Sequence, residues 1–126
     1  MSIIVTDQGF GPETFSGEIL DLASDTAPET LTGAETADMI RIDFPSFADG
    51  RGFTLARLLR LRGYKGQLRA RGHVIADQYA MARRSGFDEV EIEDDLAARQ
   101  PEDQWLARAD WQAHDYQARM RGTSAA

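Results

Sequence analysis

At 126 residues, with 42% hydrophobic and 28% charged side chains, the chain has room for one domain with its own core and not for two. No run of about 18 apolar residues occurs, so no segment reads as a membrane-spanning helix. No cysteine occurs, which excludes disulfides, thiol nucleophiles and cysteine-held iron–sulfur clusters, and the net charge of −7 argues against nucleic acid as a partner.

The first residues, Met1 to Asp7, lack the basic region and hydrophobic stretch of a signal peptide, which points to the cytoplasm. Ile3-Ile4-Val5 predicts a short strand, and Asp7 to Gly17, with three glycines and Pro12, reads as a loop. Glu18 to Leu22 predicts a second strand. Ser24 to Thr36, with Pro28 placed for a helix start, predicts a helix. Met39 to Phe44 is a strand that Pro45 closes, since proline cannot donate a ladder hydrogen bond.

In the helix that follows, Leu55, Leu58 and Leu59 share one face and Arg57 and Arg60 the other, with Thr54 as cap and Gly63 as stop. Gln67 to Ala70 predicts a strand broken by Gly72. Val74 to Ser85 predicts a helix with Val74, Ile75, Met81 and Ala82 inward, stopped by Gly86. Glu89 to Ile92 predicts the last strand. Pro101, Glu102 and Asp103 open a final helix carrying Leu106, Ala109, Ala113, Tyr116 and Met120 as far as Gly122. Residues 123–126 read as a disordered tail.

Strands alternating with helices imply right-handed βαβ units. The expected fold is a single α/β domain over residues 1–122. About four βα units form a parallel sheet, either a flavodoxin-like open sheet or half of a β/α barrel. Half a barrel leaves a sheet edge and an apolar face that a homodimer would cover.

Charge is segregated. Residues 51–84 hold nine basic groups and one acidic, against ten acidic and one basic in residues 1–50. A basic middle attracts a small anion or an acidic partner locally. Asp49-Gly50-Arg51-Gly52 joins a strand end to a helix start, where free N–H groups and an arginine fork suit an oxyanion. The plainer reading is a tight turn in which Asp49 accepts backbone N–H groups and Arg51 answers a carboxylate such as Asp43. Arg69 and Arg71 leave the next strand, and neighbouring strand ends of a parallel sheet form one crevice. Gln78, in the middle of an apolar helix face, needs partners in a loop backbone or a ligand.

The expected ligand-binding set is therefore Asp49, Gly50, Arg51, Gly52, Arg69, Arg71 and Gln78. His73 at a helix start lacks the partners of a general base. With only His73 and His114 in the chain, 41 positions apart, no metal site is expected. Asp88, Glu91, Glu93, Asp94 and Asp95 read as a solvated rim or a docking surface for a basic partner. Trp105, Trp111 and Tyr116 read as packing. No P-loop, Gly-x-Ser-x-Gly or dinucleotide fingerprint occurs, so neither cofactor nor catalytic residues are assigned.

The run Phe44-Pro45-Ser46-Phe47-Ala48-Asp49-Gly50-Arg51-Gly52-Phe53-Thr54-Leu55-Ala56-Arg57-Leu58-Leu59-Arg60 resembles the signature of a bacterial family, domain of unknown function 934. Gly66 to Ala70, Asp77-Gln78 and Gly86-Phe87-Asp88 match its later pattern, so that the likeness covers roughly residues 38–95. Ser85 stands where relatives often carry cysteine, and His73 where they often carry aspartate. The resemblance implies a context of assimilatory sulfite reduction, beside whose reductase members are typically encoded and for which they are often labelled oxidoreductases. The expected function is an accessory protein of that pathway, binding a small oxyanion or a partner such as sulfite reductase. The alternatives are a β/α-type enzyme acting on a phosphorylated or sulfated metabolite, with Asp49 or His73 as acid–base group, and a pure interaction module.

Overall fold

In a computed structural model that describes residues 2–27, 31, 36–109 and 111, the chain forms one six-stranded mixed sheet with four α-helices. The strands are β1 (Ser2–Thr6), β2 (Gly9–Gly11), β3 (Ile19–Ala23), β4 (Met39–Phe44), β5 (Gln67–Gly72) and β6 (Glu89–Glu93). The helices are α1 (Arg51–Leu61), α2 (Tyr79–Ser85), α3 (Asp94–Arg99) and α4 (Glu102–Leu106). Among the described residues no helix is long and apolar enough to cross a membrane.

The sheet order is β2-β1-β6-β5-β4-β3. Strands β3 to β6 are parallel, as the alternation of strands and helices predicts, and lie in chain order. The sheet is not wholly parallel, however. β1 runs antiparallel to β6, and the expected loop after it turns back as β2. Gly9 makes that turn at φ +110°, and Glu102 of α4 accepts the N–H of Phe10 at 2.8 Å.

Alternation sorts the two faces. Ile40, Ile42, Phe44, Leu68, Ala70, Val90 and Ile92 are all buried and belong to one core with Phe53, Leu55, Ala56 and Leu59 of α1. Phe44 packs against Phe53 and Phe87 with ring centroids 4.9 and 5.9 Å away. A Cβ on Gly52 would meet the Phe44 ring at 2.4 Å, so this glycine sets how closely α1 approaches β4.

Several boundaries move. Helix α1 begins at Arg51 with Gly50 as its cap, so Thr54 lies inside it. Arg60 is not on a solvated face: it donates to the carbonyls of Tyr64, Gly66 and Gly86 and to Asp88, closing the chain behind α1. Val74 and Ile75 precede a 3₁₀ turn, Ala76–Gln78, and α2 then buries Tyr79, Ala82 and Ser85 while Met81 faces out. The Asp94-Asp95 pair opens α3, where two carboxylates suit a helix N-terminus. Trp105 is fully buried against the Tyr79 ring. Most of the helix expected over residues 24–36, and everything expected beyond Trp111, lies outside the described residues.

Candidate functional site

The face of the sheet opposite α1 and α2 carries rows of charge beside the buried Met39 and Ile4. In each of β4, β5 and β6 a charged residue alternates with an apolar one: Arg41-Ile42-Asp43, Arg69-Ala70-Arg71, Glu89-Val90-Glu91. Strand register aligns them in two rows, Asp21–Arg41–Arg69–Glu89 and Asp43–Arg71–Glu91. Opposite charges adjoin at nearly every step, which cross-strand neighbours require.

Arg69 is the hub and is 1% exposed. Its guanidinium donates to Glu89 at 2.6 Å, to Glu91 at 2.9 Å and to both oxygens of Glu13 at 2.6 Å. Glu13 comes from the loop after β2 and covers this end of the face. Burial alone would lower the Arg69 pKa, and the Glu13, Glu89 and Glu91 carboxylates reverse that and raise it. Burial alone would raise the Glu91 carboxyl, and the arginines Arg69 and Arg41, with Ser2, bring it below its ordinary value. A buried arginine so fully paired holds the face together and has no donor left for a ligand.

One step further along the strands the network loosens. Arg71 approaches Glu91 at 3.5 Å and Asp43 at 3.7 Å and is 43% exposed. It opens onto a cleft of about 360 Å³ at the carboxyl ends of β4, β5 and β6, lined also by Ser2, Pro45, His73 and Glu93. Antiparallel β1 brings Ser2 to this same end, since Ser2 pairs with Glu93. Gly72 shapes the rim: its φ is +108° and a Cβ there would lie 2.8 Å from the Phe44 carbonyl. That close approach lets His73 donate its backbone N–H to Phe44 at 2.9 Å. The His73 ring sets Nδ1 3.3 Å from the same carbonyl and its edge against Phe47. A proton on Nδ1 makes that bond and leaves Nε2 as an acceptor.

The expected site residues separate into three places. Arg71 lines the cleft and Arg69 is buried in the network beside it. At the head of α1, Asp49 accepts the backbone N–H of Arg51 at 3.1 Å, its guanidinium at 2.9 and 3.0 Å, and the Ser24 hydroxyl at 2.7 Å. These bonds, those of Arg51 foremost, hold its carboxyl well below the usual range. The anion at this helix start is thus the chain's own. Gly50 caps the helix and Gly52 packs on Phe44. Gln78 accepts the N–H of Ile75 at 3.0 Å and donates to the Phe47 carbonyl at 2.8 Å, so its amide serves backbone.

Asp43, Glu91, Glu93 and Ser2 are cleft residues that sequence reasoning did not assemble. The signal was present as the period-2 charge in three successive strands, but only register shows that the three line up. Among the described residues no group of three or more His, Asp or Glu is placed to hold a metal ion.

No curated protein and no solved structure matches the chain. A model of one family does match, over residues 20–126, from the second residue of β3 through α4. The chain belongs to that family, the bacterial proteins of unknown function designated DUF934.

Proposed function

We propose that the chain is an accessory protein of assimilatory sulfite reduction that holds a small oxyanion in the cleft at the carboxyl ends of β4, β5 and β6. The observation that carries this reading is Arg71, whose carboxylate neighbours stand at 3.5 and 3.7 Å and leave its guanidinium donors for a ligand. Asp43, Glu91 and Glu93 around it disfavour a dianion, so a singly charged oxyanion is the better fit. The pathway comes from the family likeness alone. The sheet supports reading the fold as half of a β/α barrel: its parallel strands keep chain order, whereas a flavodoxin-like sheet reverses it. In a barrel the carboxyl ends of the strands are where ligands bind.

A second reading, a β/α enzyme acting on a phosphorylated or sulfated metabolite, is favoured by His73. His73 lines the same cleft as Arg71, and in this reading its ring is the acid–base group. Thermal unfolding against sulfite, sulfate, phosphate, adenylyl sulfates and flavins separates the two. Sulfite at a hundred times its dissociation constant should add about 2.7 kcal/mol of stability to the native chain and nothing to Arg71→Gln. Equal stabilisation of both proteins removes the cleft as the site. A phosphorylated or sulfated metabolite that stabilises the native chain where sulfite does not favours the enzyme.

A further inference from the structure

The cleft is not lined for a bare anion. Arg71 shares its lining with the carboxylates of Asp43, Glu91 and Glu93. Glu91 is answered by Arg69 at 2.9 Å and Arg41 at 3.1 Å as well as by Arg71. Asp43, its side chain 50% exposed, meets no cation nearer than Arg71 at 3.7 Å among the described residues. Glu93 stands on the same face of β6, two residues beyond Glu91, and is exposed. Among the described residues no cation lies within 4 Å of it.

A simple anion on Arg71 would satisfy the guanidinium and add negative charge beside Asp43 and Glu93. A metal ion does not resolve this, since among the described residues no three His, Asp or Glu side chains are placed to hold one. An ammonium group does: it carries three donors and needs no fixed set of ligands. Spacing suits a small molecule bearing both charges. Arg71 pairs in register with Glu91, and Glu93 lies about 6–7 Å further along β6. Long side chains reaching inward from those two positions leave room between them for a bridging molecule. The cleft of about 360 Å³ accepts one of that size, and Phe44, Pro45 and Ile92 in its lining offer apolar surface to a carbon frame.

We propose that the ligand of this cleft is a small zwitterion, an amino acid or aminosulfonate, with its oxyanion on Arg71 and its ammonium on the carboxylates of Glu93 and Asp43. The inference rests on the oxyanion reading of the same cleft and adds the second charge to it. Each head group then gains a charge-assisted hydrogen bond that the other end of the molecule does not compete for.

Titrations of the full chain followed by amide chemical shifts read such binding even when it is weak. Glycine, β-alanine and taurine are each compared with the compound lacking the amino group (acetate, propionate and ethanesulfonate) at neutral pH and constant ionic strength, with sulfite alongside. At least one zwitterion should bind about tenfold tighter than its partner compound, and which one shows whether the oxyanion is a carboxylate or a sulfonate. Glu93→Gln, at an exposed position, should erase that advantage and leave the partner compound's affinity unchanged, whereas Arg71→Gln should lose both. Equal affinity within every pair overturns the inference, as does an advantage that survives both Glu93→Gln and Asp43→Asn. Sulfite or a partner compound that still binds through Arg71 in those cases leaves the oxyanion reading standing. If no compound binds in a way that Arg71→Gln abolishes, both fall. Unchanged circular dichroism of the variants guards against unfolding as the cause.

Discussion

Arg69 donates four hydrogen bonds to the carboxylates of Glu13, Glu89 and Glu91, and its removal should be felt as stability first. Replacing it with methionine leaves Glu91, 6% exposed, without its main partner. Breaking a buried pair from one side typically costs 3–5 kcal/mol, so Arg69→Met is expected to lose about 3 kcal/mol in urea unfolding, Arg41 still supporting Glu91. Glu13→Gln, at a carboxylate 41% exposed, should lose about 1 kcal/mol or less. Comparable losses in the two variants would mean that Arg69 is not the hub. Gly52 makes the opposite kind of test. In a helix interior, glycine to alanine ordinarily gains about 1 kcal/mol. Here the new Cβ meets the Phe44 ring, and Gly52→Ala is expected to destabilise by about 1–3 kcal/mol through overpacking.

At the scale of elements, Arg60 links α1 to the strands that follow it. Its guanidinium accounts for three carbonyls and Asp88, and Asp88 in turn accepts the N–H of Leu68 at 2.9 Å. Arg60→Ala should cost about 2 kcal/mol, because several part-buried acceptors lose one donor together. Hydrogen exchange is the discriminating measurement: the Leu68 amide should lose protection before the amides in the middle of β4. Uniform loss across the sheet would show that Arg60 stabilises the fold globally rather than this junction. These elements were largely legible in the chain. Pro45 and the Gly63, Gly72 and Gly86 stops mark ends that local geometry enforces, and three of those glycines have positive φ. The helical start was misplaced at Thr54 because a side-chain cap was expected where a bare Gly50 serves. The 3₁₀ turn before α2 was missed because an apolar pattern is equally consistent with a continuous helix.

Across the whole molecule the charged rows predict how stability depends on pH. The carboxyls of Asp7, Glu13, Asp21 and Glu91 are held below their ordinary values against the opposing effect of burial, Asp7 by the Tyr79 hydroxyl and then Arg83, Glu13 and Glu91 mainly by Arg69, and Asp21 by Arg41. A carboxyl whose folded pKa is depressed stabilises the fold above its unfolded pKa, about 4, and that stability is lost as pH falls through the folded value. Urea unfolding should therefore vary little from about pH 7 to 5 on account of these groups and decline below about pH 4. Arg69→Met should show a shallower acid decline, since Glu13 and Glu91 lose the partner that depresses them. An unchanged slope would place the acid sensitivity elsewhere.

Residue types and their spacing carry the alternation of strands and helices, the family, the lack of any thiol and the candidate status of Arg71 at a strand end. Each of these depends on residue type and near neighbours, which the chain states directly. The partnering of charges was decided only in three dimensions. Arg69 and Arg71 are two residues apart and look equivalent in the chain. Strand register places one among Glu13, Glu89 and Glu91, and the other at a looser edge facing the cleft. Asp49 and Arg51, open in the chain to either an anion site or a tight turn, bond to one another because the turn brings them together. Coulomb energy falls off within a few ångströms in solvent, so which arginine stays available is settled by distances across the sheet, not by position along the chain.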